Sequence, residues 1–201
     1  MYYSLFDTEY GTCGIVYRSV EEAGVVHILL PRSKKDTESL IKKLHPESKQ
    51  AKSEKVQGLI DDITRYLRGE DIHLSMDLLD TSVCHPFQLK VLKTERTIPR
   101  GKTAAYGWVA RKIGTKGVRA VGGALARNPF PLVVPCHRAI RSDRTLGGFQ
   151  GGLEMKRKLL EMEGVEFDSR GKVRPGFILS EDRSLEYFES GLHFGAESLA
   201  F

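Results

Sequence analysis

A chain of 201 residues, 40% hydrophobic and 28% charged, is long enough for one or two cores and ordinary for a globular protein. Its longest apolar stretches, Gly24 to Pro31 and Pro129 to Pro135, are far too short to span a bilayer, and three widely spaced cysteines exclude a disulfide framework. The net charge of +5 is unevenly spread: residues 86–160 hold 16 Lys and Arg against three acids (net +13), the rest 15 against 23 (net −8).

The first 30 residues read as strands. Tyr2 to Phe6, Cys13 to Arg18 and Gly24 to Leu30 are β-branched or aromatic runs separated by turn signals such as Tyr10-Gly11-Thr12. The charged stretch Pro31 to Pro46 carries one helix or a loose connector. Ser53 is placed to cap a helix with Val56, Leu59, Ile60, Ile63 and Leu67 on one face, ending near Gly69. Asp71 to Asp80 has room for one more strand. Cys13, Cys84, His27, His45, His73 and His85 lack ligand spacing, so no metal or other cofactor is expected.

In the basic region, Pro86-Phe87-Gln88 opens a helix that Ile98-Pro99-Arg100-Gly101 closes. Thr103 to Lys112 fits a short helix, Gly114 to Gly117 a turn, and Val118 to Arg127 a second helix, which is the helix-turn-helix pattern. Clustered Lys and Arg on such a unit point to a polyanion partner, because they neutralise phosphates and release counterions. The second helix contains Gly122-Gly123, costly in a helix interior by about 1 kcal/mol each. Tight helix packing and close approach to a nucleic-acid backbone both explain them.

Residues 128 to 140, NPFPLVVPCHRAI, are the chemical centre. Leu132-Val133-Val134 reads as a short strand stopped by Pro135, and Cys136-His137-Arg138 follow. A cysteine beside a valine run is commonly a buried inert thiol. A thiol with imidazole and guanidinium neighbours can instead be held partly as thiolate, the reactive form. Adjacent side chains on a strand face opposite ways, so contact between Cys136 and His137 requires a bend or a bridging water. Downstream, Leu146 to Gly152 is a glycine-rich loop without the spacing or lysine of a phosphate-binding P-loop. A helix with Leu153, Lys156, Leu159 and Leu160 then reaches Glu163-Gly164. A glutamate at a helix C-terminus opposes the helix dipole, which hints at another task.

Phe87-Gln88, Ile98 to Thr103, Tyr106-Gly107, Arg119 to Gly122, Asn128-Pro129, Pro135 to Arg138, Gly147 to Phe149, Gly151-Gly152 and Lys156…Glu163-Gly164 together resemble the O6-alkylguanine-DNA alkyltransferases. The resemblance runs from Phe87 to Gly164 and is one of layout only before that. It implies an α/β N-terminal domain at 1–82, ribonuclease H-like, with a small antiparallel sheet plus helices. A mostly α, winged-helix-like helix-turn-helix domain at 83–166 and a C-terminal extension at 167–201 follow.

The resemblance also implies roles. Cys136 is the alkyl acceptor, His137 the base that deprotonates it through a water, and Glu163 the carboxylate that orients His137. Tyr106 assists base eversion and donates a proton toward the leaving guanine, and Asn128 is the hinge between recognition helix and acceptor. Arg119 is the finger that replaces the everted base. Ala120, Gly122, Arg127 and Arg138 join Tyr106 and Arg119 in binding DNA, and Pro131, Val134, Phe149, Gln150 and Gly151 shape the alkylguanine pocket. The implied partner is double-stranded DNA containing O6-alkylguanine, bound through its minor groove by a monomer with no membrane association. The expected compartment is the cytoplasm (nucleoid-associated, or the nucleus in a eukaryote). The acceptor is consumed, so each molecule acts once. Phe149 departs from the tyrosine of many relatives and Gln150 from the serine of some, and the tail with Phe177, Phe188, Phe194 and Phe201 is expected to pack on the body. A helix-turn-helix regulator with an inert thiol, a non-transferring alkylguanine-binding protein and a cysteine hydrolase are the rival readings.

Overall fold

The computed structural model describes residues 1–180. The β-branched runs form three strands, β1 (Tyr2–Thr8), β2 (Gly11–Ser19) and β3 (Ala23–Arg32), joined as an antiparallel meander. A fourth strand, β4 (Lys49–Gln50), runs parallel to β1, giving the order β3-β2-β1-β4. The sheet is therefore mixed, not antiparallel as expected. Two exposed polar residues are too few to show a period-2 pattern, which is why this edge is silent in the sequence.

Helices cover both faces of the sheet. On one face α1 (Lys34–Leu44) sets Ile41 against Val16, Val26 and Leu29, where Gly14 leaves room: a Cβ there would lie 3.0 Å from Ile41 Cδ1. On the other, α2 (Glu54–Leu67) buries Val56, Leu59, Ile60, Ile63, Tyr66 and Leu67 against Ile15, Tyr17 and Ile28. This double cover explains the unbroken burial of Thr12 to Tyr17 along β2. Ser53 occupies the N-cap of α2, yet its hydroxyl donates to Val20 O (2.6 Å), tying the helix to the β2–β3 turn. Asp71 to Asp80 forms no strand; only Leu79 bridges to Val25.

The basic region folds as α3 (Pro86–Glu95), α4 (Tyr106–Lys112) and α5 (Val118–Ala126), with Gly114 in the α4–α5 turn at φ +74°. Thr103 to Ala105, expected within the first of the paired helices, instead supplies β5 (Ala104–Ala105), which pairs in parallel with β6 (Ala139–Ile140). The expected strand Leu132–Val134 is a turn: Leu132 has φ +73° and Val134 N–H donates to Phe130 O (2.8 Å). Local β-propensity is overridden here by bonds from Asn128 on α5's exit. In α6 (Gly152–Met162) the buried face is Lys156, Leu159 and Leu160, while Leu153 is 56% exposed and faces out.

One apolar cluster runs from the sheet through α2 and α3 to α5 and Cys136. Phe167, Val173, Phe177 and Ile178 pack with Ile140, Leu160 and Val165, and Thr103 exchanges backbone bonds with Phe177 and Leu179. The start of the extension thus lies on the body; Phe188, Phe194 and Phe201 fall outside the described residues.

Candidate active site

Cys136 begins a single 3-10 turn, Cys136–Arg138, held from behind by Asn128. The Asn128 side chain is 1% exposed; its Nδ2 donates to Val134 O (3.0 Å) and its Oδ1 accepts from Phe130 N–H (2.9 Å). The bond to Phe130 N–H satisfies a donor that a buried turn would otherwise leave unpaired, and the bond to Val134 O adds a second donor to a carbonyl that already accepts from Cys136 N–H. Burial pushes the Cys136 thiol up to about 11, although a hydrogen bond from Asn128 and the Lys156 ammonium oppose the rise. Of the two readings of this cysteine, the thiolate that a basic neighbourhood could favour is therefore not the resting form. Low dielectric outweighs nearby positive charge, so a base has to act.

The turn answers how His137 is placed. It swings the imidazole away from the thiol, and among the described residues no hydrogen bond joins the two. Instead His137 Nε2 lies 2.9 Å from Glu163 Oε1, the C-cap residue of α6. A carboxylate only accepts, so Nε2 carries the proton and Nδ1 holds the lone pair. Nδ1 is buried and has no protein partner. Burial pushes His137 down, against the opposing pull of Glu163, which keeps the ring neutral near pH 7. Burial would raise Glu163, but His137 and Arg138 hold it well below the ordinary carboxylate range.

Arg138, expected to reach DNA, is turned inward. Its Nη2 and Nε donate to Glu163 (2.7 and 3.0 Å) and its Nη1 to Ile98 O (2.6 Å), with the side chain 11% exposed. A buried carboxylate needs a cation, and Arg138 supplies it from the same turn as His137. Tyr66 of α2, which no motif marks in the sequence, donates its hydroxyl to Glu163 Oε1 at 2.5 Å and lies 3.2 Å from His137 Nε2. Lys156 and Glu95 likewise went without a role. Lys156 Nζ donates to Ala139 O (2.6 Å) and Gly148 O (3.3 Å), 5.9 Å from the centre of the Tyr106 ring. Burial pushes this lysine down to about 8, and the wholly buried Glu95 up to about 8. The signal was present: both charges sit at helical spacing from apolar core residues, Glu95 after Val91 and Leu92, Lys156 before Leu159 and Leu160.

A cavity of about 450 Å³ opens over Cys136. Tyr106 and Phe149 are aromatic walls, and Gly122 of α5 and Gly147-Gly148 of the loop form the mouth. A Cβ on Gly122 would meet nothing within 4 Å, so packing does not require this glycine; it faces the opening. Gly147, at φ +68°, lies so close to Tyr106 that a Cβ would be 3.0 Å from its hydroxyl. Tyr106 is pushed up to about 12, first by burial, and so remains a proton donor. Phe149 meets His137 edge-to-face with ring centres 6.3 Å apart.

Three expected pocket residues are not on the cavity wall. Pro131 and Val134 are buried and bridge to each other behind the acceptor. Gly151 lets the loop press on β3, since a Cβ there would meet Met155, Phe149 and Leu30. Gln150 does line the cavity, but its amide donates to Ala126 O (3.0 Å) and Asn128 O (2.8 Å). With Gln88 donating to Arg127 O (2.8 Å), it caps the end of α5. Arg119, Ala120 and Arg127 are exposed along α5.

The DNA-binding-domain model of 6-O-methylguanine DNA methyltransferase matches residues 86–165. The crystal structure of a variant O6-methylguanine methyltransferase from Mycobacterium tuberculosis is 30% identical, with a TM-score of 0.64 over 84% of this chain and 97% of that one. The chain belongs to the 6-O-methylguanine DNA methyltransferase family. Mycobacterium tuberculosis OGT in complex with DNA is similar to it at 29% identity and a TM-score of 0.64, covering 81% of this chain and 92% of that one. A methylated-DNA–protein-cysteine methyltransferase of Methanothermobacter thermautotrophicus is 45% identical over 115 residues. That match covers 57% of this family member and 65% of the relative, so the chain spans just under two thirds of it.

Proposed function

We propose that this protein repairs DNA directly, transferring a methyl or larger alkyl group from O6 of guanine (or O4 of thymine) to Sγ of Cys136, once per molecule. The observation that carries the reading is the thiol at the floor of a base-sized cavity, backed by a neutral imidazole whose free Nδ1 is opposite a carboxylate-held Nε2–H. Buried relays of this kind serve to move a proton.

The chemistry follows from the pKa values. Ionising a thiol of pKa about 11 at pH 7 costs roughly 5 kcal/mol, which explains why a relay is built. His137 Nδ1 takes the thiol proton through a water, Glu163 stabilises the imidazolium, and the sulfur displaces the alkyl carbon from O6. The C–O bond breaks, its electrons stay with guanine, and Tyr106 O–H donates a proton to the guanine ring. No cofactor enters this scheme. The thioether has no route back, so the acceptor is consumed.

An O6 atom inside a stacked duplex is out of reach, so the nucleotide must be flipped out, at a cost of a few kcal/mol. Exposed Arg119 at the start of α5 is suited to fill the gap, while Ala120 and Gly122 let the helix sit close in the minor groove and Arg127 holds phosphate. The relative of similar fold in complex with DNA supports DNA as the partner. Within this reading, residues 1–82 are a ribonuclease H-like domain, supported by the β3-β2-β1-β4 order with a parallel last pair. Residues 83–166 are a winged-helix-like unit and 167–201 an extension. One-to-one chemistry needs only a monomer, acting where the DNA is, in the cytoplasm or nucleus.

The test is direct. Incubation with a duplex carrying O6-methylguanine should add 14 Da to the Cys136 peptide, about one methyl per protein at saturation. A folded, reduced protein without that adduct, or one that repairs many equivalents, refutes the reading. The regulator alternative predicts duplex binding with no adduct.

A further inference from the structure

Tyr66 stands 71 residues before His137, on the sheet-packed helix α2, yet its hydroxyl completes the cluster behind the acceptor. The residue is 3% exposed. Arg100 fixes it from the far side, with its guanidinium carbon 5.5 Å from the ring centre. The same guanidinium donates to Gly69 O (2.8 Å) and Met162 O (3.4 Å), tying the end of α2 to the end of α6, where Glu163 follows. The phenol has one proton and gives it to Glu163 Oε1 at 2.5 Å, a short charge-assisted bond. Its oxygen is then left facing His137 Nε2–H at 3.2 Å. The imidazole N–H is shared between Glu163 and Tyr66, which fixes both ring orientation and tautomer.

We propose that Tyr66 is a positioning residue for alkyl transfer, by which the N-terminal sheet domain sets the orientation and basicity of His137. The inference rests on the transfer reading above for its rate effect, but its first readout does not.

Several charges bear on this imidazole. Glu163 and Lys156 come from α6 and Arg138 from its own turn, while Arg100 acts on Tyr66, and Glu95 of α3 faces Arg138 and Lys156. Among these Tyr66 is the neutral donor. Burial, and next the Glu163 charge, keep its phenol pKa well above the ordinary value, so it donates at any working pH. By donating to Glu163 it withdraws charge from the carboxylate that pulls His137 upward. The 2.5 Å bond to the carboxylate outweighs the 3.2 Å contact to the ring, so losing the hydroxyl raises the imidazole pKa.

The experiment uses the full chain and Tyr66→Phe, which retains the ring and its packing. Nitrogen-15 NMR of His137 reports tautomer and pKa without DNA. The expected result is an upward shift of about one unit, the scale of one charge-assisted hydrogen bond. Single-turnover transfer to duplex should then slow about tenfold below that pKa and less than threefold above it. An unchanged His137 titration, or slowing by one factor at every pH, overturns the proposal and leaves Tyr66 a packing residue. If wild-type protein forms no Cys136 adduct, the transfer reading fails, while the NMR shift still decides the role of Tyr66. Should Tyr66→Phe unfold, Arg100→Met loosens the ring from behind. It should broaden the tautomer equilibrium of His137, and an undisturbed imidazole in that variant likewise refutes the idea.

Discussion

Gly122 separates stability from function, because the change that should help one should harm the other. It lies inside α5 with ordinary helical φ, and a Cβ built there meets nothing within 4 Å. Gly122→Ala therefore gains helix propensity without a clash, about 1 kcal/mol, which for a chain this long raises Tm by roughly 2–4 °C. The same methyl would project into the cavity over Cys136, where the proposed docking brings a DNA backbone close. One lost close contact of about 1.4 kcal/mol slows transfer from duplex roughly tenfold, with far less effect on a free alkylated base. Gly123→Ala is the control. It gains the same propensity, its Cβ meets only the Arg127 guanidinium at 3.7 Å, and it does not line the cavity. Thermal unfolding and single-turnover transfer on both substrates provide the measurements. If Gly122→Ala lowers Tm, or slows duplex transfer no more than Gly123→Ala, the assignment of this helix face to DNA is wrong.

Asn128→Ala leaves Phe130 N–H buried and unpaired, while Val134 O keeps its bond from Cys136 N–H, so urea unfolding should show a loss of roughly 1–3 kcal/mol; an unchanged midpoint would mean the loop is braced elsewhere. Glu163→Gln strands the buried Arg138 charge and should cost about 3–5 kcal/mol at pH 7. Glu163 is held below its ordinary 4.5, so its contribution is present above that pH and lost as pH falls below it. Stability of the variant should accordingly depend less steeply on pH on the acid side, and parallel acid unfolding curves would contradict the ion-pair account. Iodoacetamide should modify Cys136 in the free protein slowly at pH 7, about tenfold faster per pH unit up to pH 9, since the thiol sits near 11. A plateau near pH 7 would reveal a resting thiolate.

Elements with strong periodicity were legible in the amino-acid order. The three strands, α2 and the α4–α5 pair bury enough apolar surface along one repeat for local pattern and tertiary need to agree. Cys136, His137, Tyr106, Asn128 and Glu163 were singled out by the family resemblance, and the structure brings them together around and behind Cys136. Leu132–Val134 was misread for the opposite reason. Three β-branched or aliphatic residues favour a strand locally, but two side-chain bonds from Asn128 decide the backbone.

What only the tertiary structure decided is the state and company of those groups. Arg138 reads as one more basic residue of a DNA face until Glu163, 25 residues away, is seen to claim it. Tyr66 is simply a core aromatic of α2 until the helix is docked beside α6. Lys156 and Glu95 become unusual only once water is excluded around them. Covalent order determines which chemical groups the chain possesses and, through periodicity, most of its elements. Proton affinity, in contrast, depends on burial and on neighbours distant in sequence, so the resting thiol at Cys136 and the neutral base behind it belong to the fold alone.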